Sequence, residues 1–294
     1  MLNLQFLLNK GYTKEKLNEL TELVLDNSKI KSIDTEIFKT CLNLKILWLK
    51  NNKLNILELD TFKQLTQLTW LSLSNNQIEK IDEKHFQICS NLTRLDLEDN
   101  KLKILTANTF KQLTRLTKLS LHNNQIETID VGLFETCSNL EVLYLSKNKL
   151  TNLSTDTFKQ LKKLTLLSLA NNHIKKIDVK LFETLSNLEI LYLSNNQLTH
   201  IDADTFKQLR ILNELSLSNN QIETIDEKLF EANSELKVLY LFKNKLTILR
   251  SGTFHALTQL TVLSLHFNQI DSIDVRLFER CCNLEWLHLS NNEL

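Results

Sequence analysis

The residues capable of chemistry in this chain are five cysteines, seven histidines and one local cluster of carboxylates. Cys41, Cys89, Cys137 and Cys281 are spaced by 48 residues or a multiple of it, at a position that elsewhere holds Leu65, Leu113, Leu161, Leu185, Leu209 or Leu257. A cysteine that replaces a leucine reads as a small buried hydrophobe. In a stack of coils, cysteines two coils apart are separated by about 10 Å, beyond the reach of about 7 Å that a disulfide allows. The vicinal pair Cys281 and Cys282 is poorly placed to bridge, so five free thiols are expected. Among the histidines only His266 and His288 approach each other. A metal would need a third protein ligand, and none stands out; no metal or cofactor is expected. Asp96, Glu98 and Asp99 cluster beside Arg94 and Lys118. Acid–base catalysis needs paired groups in a water-poor pocket, which an open strand face does not offer, so this cluster reads as a polar contact patch. There is no P-loop, dinucleotide fingerprint or nucleophile elbow, and an enzyme has nothing in its favour. The two glycosylation sequons, at Asn91 and Asn152, carry little weight in a chain this rich in Asn and Thr.

The 35 basic and 35 acidic residues cancel. Nucleic-acid binding, driven by phosphate neutralisation, would call for a basic excess, so no nucleic-acid partner is expected. A hydrophobic share of 42% supports a large core. No apolar run is long enough to span a bilayer. The opening MLNLQFLLNKGY has no basic n-region and no small-residue cleavage site, so it is not read as a signal peptide.

What must position these residues is a repeat of 24 residues, LxxLxLxxNx(L/I)xx(L/I)xxxxFxx(L/C)xx, running from Leu20 onward. Position 1 is Leu throughout. Position 9 is Asn from Asn52 to Asn292, with Ser28 as the exception. Position 19 is Phe from Phe38 to Phe278. A second period of 48 alternates an Ile-Asp step (Ile33-Asp34, Ile81-Asp82) with a Thr-Phe-Lys-Gln-Leu block (Thr61 to Leu65), the mark of copying in pairs. The organisation expected is a degenerate cap or partial repeat over 1–19, eleven repeats over 20–283 and a truncated twelfth over 284–294.

The LxxLxL stretch alternates buried and outward residues, as a short strand does. Successive units then stack their strands in parallel, each coil burying the apolar edge of the last. The Asn column reads as scaffold, its amide pairing backbone groups of its own and the next turn. Ser28 can do only part of this, so the first coil is expected to be looser. Asn233, at a leucine position, needs a buried partner or a local opening.

These residues resemble the typical class of leucine-rich repeat, the class of Toll-like receptor ectodomains, Slit proteins and variable lymphocyte receptors. The resemblance implies an α/β solenoid, a horseshoe with a concave parallel β-sheet and a convex face of short turns or 3₁₀ and helical segments. It also implies macromolecular recognition, most often extracellular.

Inside the array every aromatic residue is either a spine Phe or lies at or just after an outward strand position. Exposed aromatics there are the residues that dominate interface energies. The expected ligand-binding set is a C-terminal region of Tyr192, Tyr240, Phe242, His266, Phe267, Trp286 and His288, with Tyr144 beside it, and an N-terminal region of Trp48, Trp70, Arg94, Asp96 and Glu98. Position 5 alternates large and small residues, and Ser there makes room for the larger neighbour on the next strand. The expected function is a non-catalytic module that binds a protein or other macromolecule on its concave face, within a cell-surface or secreted receptor, adhesion or innate-immune protein. The alternative is an intracellular, cytoplasmic scaffold or regulatory subunit using the same face. At the far end Leu287, Leu289 and Leu294 would meet solvent, which leaves three options: a fragment of a longer protein, a covering partner, or association with a second copy.

Overall fold

A computed structural model describes residues 1–294. They form a parallel β-solenoid of two compact units, Met1–Leu143 and Tyr144–Leu294. The first unit opens with two short helices, α1 (Leu4–Asn9) and α2 (Lys14–Glu19). The side chains of Asn3 and Thr13 accept from Phe6 N and Lys16 N and cap them, as their residue types favour. Leu2, Leu7 and Leu17 are fully buried, so this segment covers the apolar edge of the first coil.

Five strands follow in this unit: β1 (Glu22–Val24), β2 (Ile46–Trp48), β3 (Trp70–Ser72), β4 (Arg94–Asp96) and β5 (Lys118–Ser120). Each pairs in parallel with the next, 24 residues on, so Leu23, Leu47, Leu71, Leu95 and Leu119 lie side by side. Strand β6 (Val142–Tyr144) falls at the division between the units. The second unit continues with β7 (Leu166–Ser168), β8 (Ile190–Tyr192), β9 (Glu214–Ser216) and β10 (Val238–Tyr240). After β10 the short β11 (Ile248–Leu249) pairs with β13 (Ser272–Ile273) on the flank, while β12 (Val262–Ser264) and β14 (Trp286–His288) extend the main ladder. Opposite the strands the chain runs in turns, with 3₁₀ segments at Ile37–Thr40, Glu83–Phe86 and Val275–Phe278. Asp82 and Asp274 cap the last two through bonds from Lys84 N and Arg276 N.

The Phe column is buried from Phe38 to Phe254, and Phe278 at its end is half-buried. Neighbouring rings lie 6.3–6.4 Å apart from Phe38 to Phe110 and 6.3–6.5 Å apart from Phe182 to Phe278.

The Asn column works in the opposite direction from the one its sequence suggests. Asn124 Nδ2 donates to Leu121 O in its own coil and to Leu97 O in the coil before. Its Oδ1 accepts from Leu102 N, again in the coil before. Each amide reaches back, not forward. The first coil is therefore served by Asn52, whose Oδ1 accepts from Ile30 N and Ser28 N. The backbone N–H groups of Ser28 and Ile30 are thus paired although Ser28 itself supplies only part of the bonding. The irregularity of this coil is local: Lys29 joins Asn27 in the left-handed region.

A second Asn column, at position 8, was not recognised in the sequence. Asn51, Asn75, Asn123, Asn171, Asn195, Asn219 and Asn291 all have φ between 52° and 57°. Asn tolerates this conformation better than most residues do. Asn75 Nδ2 also donates to Asn51 Oδ1 in the preceding coil.

Asn233 is fully buried. Its Nδ2 donates to Phe206 O and Leu209 O, but its Oδ1 has no partner. All five cysteines are free, and only Cys282 is exposed. Burial pushes the Cys89 and Cys137 thiols up to about 12.

Two stability changes of opposite sign follow. Asn124→Ala takes the acceptor from the buried Leu102 N and one donor each from Leu121 O and from Leu97 O, which Asn100 still serves, and is expected to lower unfolding free energy by about 1–3 kcal/mol, the cost of one buried group left unpaired. Asn233→Leu removes a buried unpaired oxygen and is expected to raise it by about 1 kcal/mol. Urea unfolding followed by circular dichroism measures both. Iodoacetamide on the native chain is expected to modify Cys282 alone, the four buried thiols reacting only after denaturation; intact mass counts the adducts.

Candidate functional site

The solvent side of the strands carries positions 3, 5 and 7 of each repeat, because the alternating leucines face inward. The small residues at position 5 are buried beneath their large neighbours. Ser168 and Ser216 flank Tyr192 in register, and Ser216 and Ser264 flank Tyr240. All three serines are buried and both tyrosines half-buried. The rings lie across the face and cover the serines.

In the first unit the polar and aromatic side chains of this face are engaged with one another. The Trp48 and Trp70 rings lie 4.3 Å apart. Trp48 Nε1 donates to Glu22 at 2.7 Å and Trp70 Nε1 to Asp96 at 2.8 Å. Arg94 lies over the Trp70 ring at 4.1 Å, while its Nε donates to both Asp96 oxygens at 3.0 and 3.1 Å. Ser120 donates to Glu98. Asp96 is only 4% exposed, so its carboxylate is taken up inside the cluster. The residues grouped from sequence as an N-terminal region do come together, as a fixed polar and aromatic network.

The second unit differs. At the outward strand positions of β7 to β14 the one charged residue is Glu214. Tyr192 lies beside it; burial first, then the neighbouring carboxylate, raise the phenol to about 12. Toward β14 the aromatic residues gather. Tyr240 meets Phe242 edge-on at 6.2 Å, and Phe242 stacks on His266 at 4.6 Å with the rings 8° from parallel. His266 contacts Phe267 at 5.4 Å and His288 at 5.9 Å, and His288 contacts Trp286 at 6.2 Å. The imidazole Nδ1 of His266 lies 2.8 Å from Ser264 Oγ. Partial burial first, then the neighbouring His288 and Lys243, hold the pKa of His266 below the usual histidine value. Trp286 and Phe267 are exposed, and the rest of the group is half-buried apart from the exposed His288.

No group of three or more His, Cys, Asp or Glu side chains is placed to hold a metal ion. No helix is long and apolar enough to cross a membrane. One histidine whose role the sequence did not reveal is His85. It is buried, its Nδ1 accepts from Asp82 N at 2.8 Å, and its Nε2 lies 2.9 Å from Leu57 O in the coil before. It is a structural strut. Of the two sequons, Asn91 is engaged with Thr66 O and Arg115, whereas Asn152 is exposed.

Asp96→Ala would remove the acceptor shared by Trp70 and Arg94. The expected loss is about 1.5–3 kcal/mol, the range for hydrogen bonds to charged groups. Tryptophan emission should shift in the folded state as well; urea titration and fluorescence read the two effects.

No curated protein matches the chain significantly. Solved structures do. A leucine-rich-repeat protein of Leptospira interrogans superposes with a TM-score of 0.74 at 29% identity, over 94% of this chain and 74% of that one. The plant peptide hormone receptor RGFR1, in complex with RGF2, superposes at 0.77 with 27% identity, over 94% of this chain and 44% of that one. Drosophila Toll, from the glycosylated Toll–Spätzle complex, superposes at 0.78 with 24% identity, over 95% of this chain and 43% of that one, a likeness of fold. The chain thus spans less than half of the two receptor chains. The leucine-rich-repeat family model matches six overlapping segments, 18–78, 66–126, 114–174, 162–222, 211–270 and 258–294. With the repeat accounted for from residue 18 to residue 294, this chain belongs to the leucine-rich repeat family.

Proposed function

We propose that this chain is a non-catalytic recognition module that binds a protein partner on its concave strand face, as part of a cell-surface or secreted receptor-type protein. The observation that carries the reading is the solvent side of the second unit. It brings Tyr192, Tyr240, Phe242, Phe267 and Trp286 onto one face whose outward strand positions hold a single charge, Glu214. Aromatic enrichment with charge depletion marks the energetic centre of protein interfaces. Tyr and Trp supply contact area at low conformational cost. The first unit fits a supporting role, since Arg94 and Asp96 are already paired and both tryptophan N–H groups are bonded. Structural likeness to a peptide hormone receptor supports the receptor reading.

The five unbridged cysteines favour a second reading, an intracellular scaffold that uses the same face. Gene sequence flanking this chain separates the two: a secretion signal or membrane segment supports the first, a cytosolic domain the second.

The binding face is tested with a phage-displayed random peptide library panned on the intact chain. Tyr240→Ala combined with Phe242→Ala is expected to weaken the enriched binders by more than about 1 kcal/mol, roughly fivefold. Its circular dichroism spectrum should stay unchanged, because neither side chain is in the core. Lys111→Ala with Lys159→Ala, on the opposite side, should leave binding intact. Enriched binders indifferent to the aromatic pair would refute the reading.

A further inference from the structure

Phe267 is the anomaly on this surface. It stands at the corner position that Asn occupies in most coils, with φ at 55°. A bulky residue in the left-handed region is a strained outlier, and such strain clusters at ligand contacts. The core does not require this ring, which is 47% exposed. The ring instead continues a platform begun by Phe242 and His266. The Lys243 ammonium lies 5.7 Å from the Phe267 ring centroid. Lys243 occupies the same corner one coil earlier, also at positive φ.

The charges around this platform are one-sided. Strands β10, β12 and β14 place no carboxylate at their outward positions. His266 faces His288 from β14 and Lys243 from the corner after β10, and both disfavour its protonation. The nearest outward carboxylate, Glu214, stands on β9 beside Tyr192, one strand beyond β10. The platform therefore combines stacked rings with the Lys243 cation and two histidines, and its strands supply no counter-charge.

Resting on the reading of the strand face as the binding surface, we propose that this corner takes an acidic peptide segment. An aromatic or aliphatic side chain of the peptide packs on the Phe242, His266 and Phe267 rings, and an adjacent Asp or Glu pairs with Lys243 and the histidines. One lysine and two histidines are too few for a polyanion, whose binding needs many phosphate contacts, and the rings demand an apolar group as well. A bound carboxylate favours protonated His266, so binding takes up a proton and tightens as pH falls through the histidine range.

The same peptide library, panned on the full chain, tests this. Enriched sequences are expected to pair an aromatic or aliphatic residue with Asp or Glu. They should bind at least about threefold tighter at about pH 5.5 than at about pH 7.5. Lys243→Glu should weaken them about tenfold or more. Phe267→Asn restores the residue the corner prefers, so it should weaken binding while leaving thermal stability equal or higher; this separates a binding role from a structural one. Basic or uncharged enriched peptides that still lose affinity in the Tyr240→Ala, Phe242→Ala variant would overturn the acidic-peptide proposal and leave the binding face standing. Acidic peptides indifferent to that variant would overturn both, as would no enrichment at all. Competition by a short single-stranded RNA as effective as the selected peptide would mean that charge alone is read, and would also overturn the proposal.

Discussion

Pairing of buried backbone groups is the constraint on which the rest depends. Each coil turns sharply after its strand, and the turn buries carbonyls and N–H groups out of reach of water. A donor or acceptor left alone there costs about 1–3 kcal/mol. One Asn per coil removes this cost by bonding to its own turn and to the preceding one, as Asn76 does with Leu73 O, Leu49 O and Leu54 N. The bond does two jobs. It closes the turn, and it sets the spacing between neighbouring coils, which the parallel strands and the Phe spine then share. Because the amide reaches backward, a coil depends on its successor, and the first coil can do without an Asn of its own.

With the corners closed, the opposite side of each strand is free to vary. The two units use that freedom differently. The first spends its charges on itself: the carboxylates of Glu22, Asp96 and Glu98 accept from Trp48, Trp70, Arg94 and Ser120. Such a network is well satisfied, with each of these carboxylates already accepting a hydrogen bond. The strand face of the second unit carries a single charge at its outward positions, Glu214. Its tyrosines lie over serines, and its rings collect toward β14 with Lys243 and two histidines at the margin. Interface energy resides in aromatic groups that a partner can desolvate fully, and the proposed recognition role of the second unit rests on this asymmetry. The Leptospira, RGFR1 and Toll structures share the fold.

The corner column shows how a functional signal can hide in a structural one. Asn-Asn doublets such as Asn75-Asn76 look like one conserved-looking motif in the sequence, yet the two residues do different work. The second pairs buried backbone; the first adopts a left-handed turn that Asn tolerates. Only with φ known does Phe267 stand out, because the same conformation that suits Asn strains an aromatic residue.

By itself the sequence determined the repeat, the parallel strands, the side on which every aromatic residue falls, the burial of four cysteines and the family. These follow from a strict period: once each coil must bury the same leucines, position dictates inside or outside. The tertiary structure alone decided the direction of the Asn bonds, the left-handed corners, the strut made by His85 and the fate of Asp96. Those depend on distances across coils, 22 to 28 residues apart in sequence, and on which of several nearby donors a side chain meets. A one-dimensional pattern records that such groups recur, but not which of them end up within hydrogen-bonding reach.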